Sequence, residues 1–241
     1  MHAPGWKLVR GQFFSWNHFR DGFPEIANAF LLNVKIFGIS EPLILAFALV
    51  VAVLRSLPGP VFFPLRMLAI AYADLFRGIP TILVIYLFGF GVPALQLSAV
   101  PSSQTFWAIV ALVLVYTAYV SEVYRAGIES VHPSQEAAAR SLGLRRGQAL
   151  RYVILPQAVR RVIPPLLNDF IGLQKDTALV GILGAVEAFQ QVQIDQAATF
   201  NFTYGIDAAV LFVAITIPLT RLTDWLISRE RRRRQAAGVA A

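Results

Sequence analysis

Long apolar runs broken by few charges dominate this 241-residue chain and limit the solvents in which it can fold. A helix that crosses the hydrocarbon core of a bilayer needs about 20 mostly apolar residues, since each residue advances it by only about 1.5 Å. Five stretches meet or nearly meet that length. They are about Phe30 to Leu54, the segment after Pro80 (TILVIYLFGFGVPAL), Phe106 to Val123, the segment from behind Pro164-Pro165 to about Gly184, and about Ile206 to Ile227. Phe62 to Phe76 is apolar but short. It either extends the second span or lies along the interface, and Pro80 would kink a helix continued through it. Composition agrees: 56% of the residues are hydrophobic and 15% charged, against about 45–50% and about 25% in soluble domains. The expected fold is an all-α integral membrane protein with about five transmembrane helices.

Lys and Arg set the orientation, because basic residues near span ends are retained in the cytoplasm. Arg55 and Arg66 lie between the first two spans. The stretch after the third carries Arg125, Arg140, Arg145, Arg146, Arg151, Arg160 and Arg161, and the chain ends on Arg229 and Arg231 to Arg234. By contrast, Leu95 to Thr105 and Ala185 to Gly205 contain neither Lys nor Arg. The expected protein is therefore multi-pass in the plasma membrane (the bacterial inner membrane), with its N-terminus outside and its C-terminus in the cytoplasm. Lys7, Arg10 and Arg20 in the N-terminal segment run against the rule. Three regions follow: an extracytoplasmic segment over 1–29, a transmembrane domain over 30–228 with a polar loop at about 125–163, and a basic cytoplasmic tail over 229–241.

The net charge of +7 has the same origin. An arginine cluster beside a span faces anionic headgroups, so membrane lipid and not nucleic acid is the expected partner. The first 30 residues hold Trp6, Trp16, Pro24 and several charges, without the continuous apolar core of a cleavable signal peptide. The absence of cysteine excludes disulfides, Cys-based zinc sites and thiol nucleophiles. His2, His18 and His132 are scattered, so no metal site is expected.

The loop from about Arg125 to Ile163 reads as built, not slack. Pro133 suits a first helical turn, where its missing N–H costs nothing. Glu136 then opposes the helix dipole, Ala137 to Ala139 favour helix, and Gly143 suits a left-handed C-terminal cap. These features predict a helix of about ten residues, roughly 15 Å long. A second, basic helix is expected from about Arg145 to Ile154, stopping before Pro156. The competing reading is a solvated connector that binds nothing, but structureless or idle loops of this length are uncommon.

The run EAAARSLGLRRGQALRYVILPQAVRRVIPPLLNDF, Glu136 to Phe170, resembles the EAA loop of ABC-importer permeases. That pattern has Glu-Ala-Ala, a Gly seven residues after the Glu, and a later Leu-Pro; here these are Glu136, Ala137, Ala138, Gly143, Leu155 and Pro156. ADLFRGIPT (Ala73 to Thr81), AYVSEVYRAGIESV (Ala118 to Val131) and QKDTAL (Gln174 to Leu179) are similar to the polar amino-acid branch, the histidine/glutamine/arginine type. The resemblance covers roughly Phe30 to Arg229. It implies a coupling helix that docks on a separate nucleotide-binding subunit through Glu136, Ala137, Ala138, Arg140, Gly143 and Leu144. It also implies a second permease chain, identical or not, and an extracytoplasmic solute-binding protein. ATP and Mg would sit on the ATP-binding subunit, with no cofactor bound by this chain. Asp169, where an uncharged polar residue is common in the branch, and Glu41 depart from the pattern.

A charge inside a span costs about 2.5–3.5 kcal/mol on insertion scales and needs a partner or a hydrated cavity. Lys175 is six residues from Asp169 and adjacent to Asp176, so pairing within one helix is poor and ion pairs of Lys175 and Asp176 with other helices are expected. Asn168 and Asp169 lie about one turn beyond Pro164-Pro165 and suit a cavity, where a carboxylate meets the ammonium of a solute. A hydrogen-bonded interhelical contact is the plainer alternative. Glu41 poses the same choice. Arg77 and Thr81 join the candidate substrate path, because Arg77, Gly78 and Pro80 form a break where helix-end dipoles meet a carboxylate, though such an arginine more often marks the cytoplasmic boundary.

The chain has no G-x-x-x-x-G-K-[ST] loop to cradle phosphates, so it is not expected to hydrolyse ATP itself. The expected function is that of a permease subunit of an importer for a polar amino acid or amino-acid-like solute. A secondary transporter or channel subunit would instead need an ionisable relay and no docking loop, and a scaffold would need no cavity-facing polar groups. The orientation has a direct test in this cysteine-free chain. Single cysteines at Val100 and Gln193 should react with an impermeant thiol reagent added to intact cells, and those at Ser141 and Gln235 should not. Labelling of Ser141→Cys from outside would refute the five-span arrangement.

Overall fold

The computed structural model describes residues 4–57, 59–98 and 100–239; His2 lies outside them. Among these residues the regular structure is entirely helical. In chain order the elements are α1 (Trp6–Phe13), α2 (Trp16–Ser56), α3 (Phe63–Gly78), α4 (Thr81–Ala94), α5 (Gln104–Glu129), α6 (Pro133–Ser141) and α7 (Arg146–Ala149). A π-helical turn (Leu150–Ile154) leads into α8 (Leu155–Asp176), a 3₁₀ turn (Thr177–Leu183) follows, and α9 (Ala188–Thr199) and α10 (Tyr204–Val239) complete the chain. Three segments are long and apolar enough to cross a bilayer alone, and the total rises to five if the pairs broken at 79–80 and 184–187 each count as one span. Five is the expected number, reached with different boundaries.

Three boundaries move. Helix α2 begins at Trp16, fourteen residues before the expected start, and carries Pro24 and Pro42 inside it. The stretch at 62–76 forms its own helix, α3. Ile79 and Pro80 then turn extended, with ψ of 132° at each, and end it before α4. The expected stop before Pro156 does not occur. The Leu155 N–H reaches back five residues to the Leu150 carbonyl, and α8 runs on through Pro156, Pro164 and Pro165. A widened π turn just ahead of a proline accommodates the missing N–H without ending the helix.

The chain divides into two compact units. The first comprises the residues up to Pro42, Pro80–Val113 and Gly172–Pro218. Ile26 and Phe30 pack there with Ala188, Val192, Tyr204 and Ala208. Gly89 lets α4 approach the 3₁₀ turn, since a Cβ on it would strike the Leu183 side chain. The second comprises Leu43–Ile79, Leu114–Ile171 and the residues from Leu219 onward. Gly127 of α5 lies against Val162 of α8 so closely that any Cβ would collide. The Tyr72 hydroxyl of α3 donates to the Leu114 carbonyl at 2.6 Å.

Inside the first unit, buried Asn33 holds three elements together. Its Nδ2 donates to Thr177 Oγ1 at 3.1 Å and to Glu187 Oε2 at 3.0 Å, while its Oδ1 accepts from the Ala188 N–H at 3.1 Å. Glu187, itself fully buried, caps α9 by accepting from the N–H groups of Phe189 and Gln190 at 2.9 and 2.8 Å. Every polar atom of the Asn33 amide is used, so the residue is not replaceable by an apolar one of similar size. Asn33→Leu should destabilise the folded protein by about 2 kcal/mol or more, because a buried group left without its partner costs about 1–3 kcal/mol. Thermal unfolding of the purified variant in detergent tests this, and an unchanged midpoint would show that the network is not a support.

Candidate functional site

Helix α6 is built as its residues suggest. Pro133 occupies the first turn, and the His132 ring accepts from the Ser134 N–H at 3.2 Å as the N-terminal cap. Gly143 adopts a left-handed φ of +87°. That conformation lets the Gly143 N–H reach the Arg140 carbonyl at 3.0 Å and the Leu144 N–H reach the Ala139 carbonyl at 3.2 Å, the two bonds of a Schellman cap. Ala139 faces inward at 4% exposure, whereas Ala137, Ala138 and Arg140 are exposed and Leu142 is 85% exposed. Glu136 is half-buried, 3.7 Å from the Arg146 guanidinium. Beneath the loop, Val131, Ile154 and Ala158 form a small apolar core, and Gln157 of α8 donates to Gln135 of α6 at 3.3 Å. The outcome is a short, firmly capped helix whose outer face is small, polar and unoccupied by the chain itself.

The second unit also holds a cavity of about 350 Å³ lined by Arg77, Tyr119, Glu122, Ser130, Arg161 and Asp169, with Val123, Ala126, Gly127 and Pro165 between them. Glu122 organises it. Its Oε2 accepts from Arg55 Nη1 at 2.7 Å and lies 3.9 Å from Arg77 Nη1, and it pairs with Arg125, which also bonds Glu129. The carboxylate thus holds Arg55 and Arg125 tightly and Arg77 only loosely. Arg77 lies over the Tyr119 ring, its side chain 39% exposed. Arg161 donates to the Ser130 hydroxyl at 3.1 Å and to its carbonyl. One oxygen of Asp169, Oδ2, is buried with no hydrogen-bond partner. A single space therefore presents guanidinium groups and an uncommitted carboxylate, the two charges that a zwitterion requires.

The structure brings Arg77 and Asp169 together in this cavity, but not the other residues of the expected substrate path. Glu41 is half-buried in α2 just before Pro42, and Thr81 is half-buried at the start of α4. Asn168, next to Asp169, is exposed on the other flank of α8. Lys175 is exposed, and Asp176 is half-buried at the head of the 3₁₀ turn. In the sequence, Arg55, Arg125 and Arg161 stand only as markers of orientation. The Glu122–Arg125 and Arg125–Glu129 spacings of three and four were a readable sign of an intrahelical network. The link to Arg55 on another helix had no such local sign.

The sequence matches the model of the family described as binding-protein-dependent transport system inner membrane component over residues 23–233. It is 33% identical over 220 residues to a probable glutamine ABC transporter permease protein, GlnM, of Bacillus subtilis (strain 168), covering 90% of this chain and 95% of that one. The arginine transport system permease protein ArtQ of the same strain is 31% identical over 198 residues, covering 82% and 88%. The glutamate/aspartate import permease protein GltK of Escherichia coli O157:H7 is 32% identical over 182 residues, covering 73% and 80%. Among solved structures, the crystal structure of an amino acid ABC transporter with histidines has a TM-score of 0.77 at 26% identity over 95% of this chain and 100% of that one. The inward-facing MetNI methionine ABC transporter shares the fold, with a TM-score of 0.65 at 20% identity over 85% and 95%. The family match takes in α6, the cavity and most of the helices alike, and the chain belongs to the inner membrane components of binding-protein-dependent transport systems, the permease subunits of ABC transporters.

Proposed function

We propose that this permease imports a polar amino acid or an amino-acid-like solute, driven by ATP hydrolysis on a separate subunit that docks on α6. The observation that carries the reading is α6 itself: a capped helix with one buried face, an exposed face of small side chains, and Leu142 projecting beside it. Small residues permit close approach to a groove, and an exposed leucine supplies an apolar anchor. The solute class is supported by the relatives, which are glutamine, arginine and glutamate/aspartate permeases, and by the opposite charges of the cavity. Arg77 and Arg161 suit an α-carboxylate, and Asp169 an ammonium.

In this reading the working assembly contains this chain, a second permease chain, two ATP-binding subunits that hold ATP and Mg, and an extracytoplasmic solute-binding protein. The N-terminus lies outside and the C-terminal arginines lie in the cytoplasm. Closure of the ATPase pair displaces α6. The displacement passes through α7 and the π turn into α8, which carries Pro165 and Asp169 on the cavity wall. Differential binding of ATP and solute to the inward-open and outward-open arrangements sets the population of each. A transporter driven by an ion gradient would have no use for an exposed docking helix, and this disfavours the alternative.

The variant Glu136→Arg with Gly143→Val tests the coupling. A β-branched side chain at a left-handed residue costs about 1 kcal/mol or more, and the reversed charge loses the contact with Arg146. The variant should insert in the membrane at the normal level, yet fail to co-purify with the ATP-binding subunit or to support solute-stimulated hydrolysis. Normal co-purification together with full transport would remove the case for α6 as the coupling element.

A further inference from the structure

The N-terminal helix has no place in the transport account, and its chemistry is distinctive. In α1, Trp6, Val9 and Phe13 recur at i, i+3 and i+7, which puts them on one stripe of the helix, with Lys7 and Arg10 to one side. Leu8 is the one apolar side chain outside that stripe. None of the helix's residues is buried, and Trp6, Phe14 and Trp16 are 42%, 61% and 71% exposed. Residues 4–20 contain three basic side chains, Lys7, Arg10 and Arg20, and no acidic one.

Its position is tied to α10. The Gln12 carbonyl accepts from the Phe202 N–H at 2.8 Å and from Thr203 Oγ1 at 3.3 Å, and the Gly11 carbonyl accepts from Asn201 Nδ2 at 3.1 Å. Phe13 stacks on Phe202, and neighbouring Phe200 is 79% exposed. These bonds hold the C-terminal end of α1 beside the residues that lead into Tyr204, the first residue of α10. From Tyr204 to Arg221, the first basic residue of α10, is a rise of about 26 Å at 1.5 Å per residue. That is close to the hydrocarbon thickness of about 30 Å, so Tyr204 and α1 lie at one membrane–water boundary.

We propose that α1 is a membrane-interface helix seated in the headgroup layer of the leaflet at the N-terminal end of α10. Trp6, Val9 and Phe13, joined by Phe202, face the acyl chains, and Lys7 and Arg10 face lipid phosphates. Aromatic rings favour that layer, and basic side chains reach from it to anionic groups. The acid-free charge pattern complements phospholipid headgroups, and α10 itself exposes Val210 and Val213. The three basic residues that run against the orientation rule then act as interface anchors. The inference holds whichever solute is carried.

The test uses the complete transporter in nanodiscs containing phosphatidylglycerol, with Val9→Cys or Lys7→Cys as the only cysteine and an environment-sensitive NBD label on it. At Val9 the label should emit to the blue and lose its signal to a doxyl group carried on the upper acyl chain, with little loss to aqueous iodide. At Lys7 the order of quenchers should reverse. Equal iodide quenching at both positions would place α1 in water. Protection of Val9 from both quenchers would mean that a protein surface covers the stripe. Either result overturns the proposal.

Discussion

Hydrocarbon offers an unpaired polar group nothing to bond with, and this constraint shapes the two largest polar clusters among the described residues. Glu122 shows it most clearly. A lone carboxylate on a spanning helix would be costly, but here it collects Arg55 from α2 and Arg125 from its own helix, with Arg77 of α3 at longer range. The charges neutralise one another and draw three helices to one point. Asn33 answers the same constraint with neutral chemistry, joining α2 to the 3₁₀ turn and to the cap of α9. At the 184–187 break, Gly184 turns left-handed and donates to the Gly181 carbonyl at 2.9 Å, and Glu187 caps the helix that follows.

The cavity is a consequence of how unevenly those bonds are distributed. Glu122 is engaged by Arg55 and Arg125, which leaves Arg77 loosely held, and one oxygen of Asp169 has no hydrogen-bond partner among the described residues. The π turn lets α8 begin directly behind α7, so that α6, its Schellman cap and the cavity-lining part of α8 follow one another on one stretch of chain. A loop that ended at Pro156 would have lacked that continuity.

Much of this was legible in the sequence, for reasons that differ by element. The span count follows from the lengths of apolar runs. Helix α6 follows from Pro133, the alanines and Gly143, whose effects are local. The start of α8 was misjudged because Pro156 and Pro164-Pro165 read as breaks in sequence, whereas a π turn just ahead of Pro156 lets the helix run on; α2 starts earlier than its apolar run because the more polar stretch from Trp16 is helical too. Asp169 was identified by the cost of burying charge and Arg77 by the helix break behind it, but neither sign says which residues share a cavity. Glu41, Lys175 and Asp176 carry the same cost, Asn168 sits beside Asp169, and all four lie outside the cavity lining. Arg55 lies 67 residues from Glu122 in the chain, and Glu187 lies 154 from Asn33, and no local pattern encodes such contacts.

The central claim is that this chain conducts a solute inward only when a separate subunit hydrolyses ATP. Its most direct test is uptake by proteoliposomes holding the complete complex, with ATP and Mg enclosed and amino-acid-loaded binding protein added outside. The account predicts accumulation of the labelled amino acid that stops when ATP is withheld or replaced by a non-hydrolysable analogue. Uptake that proceeds equally without ATP, or that follows an imposed ion gradient instead, would contradict it.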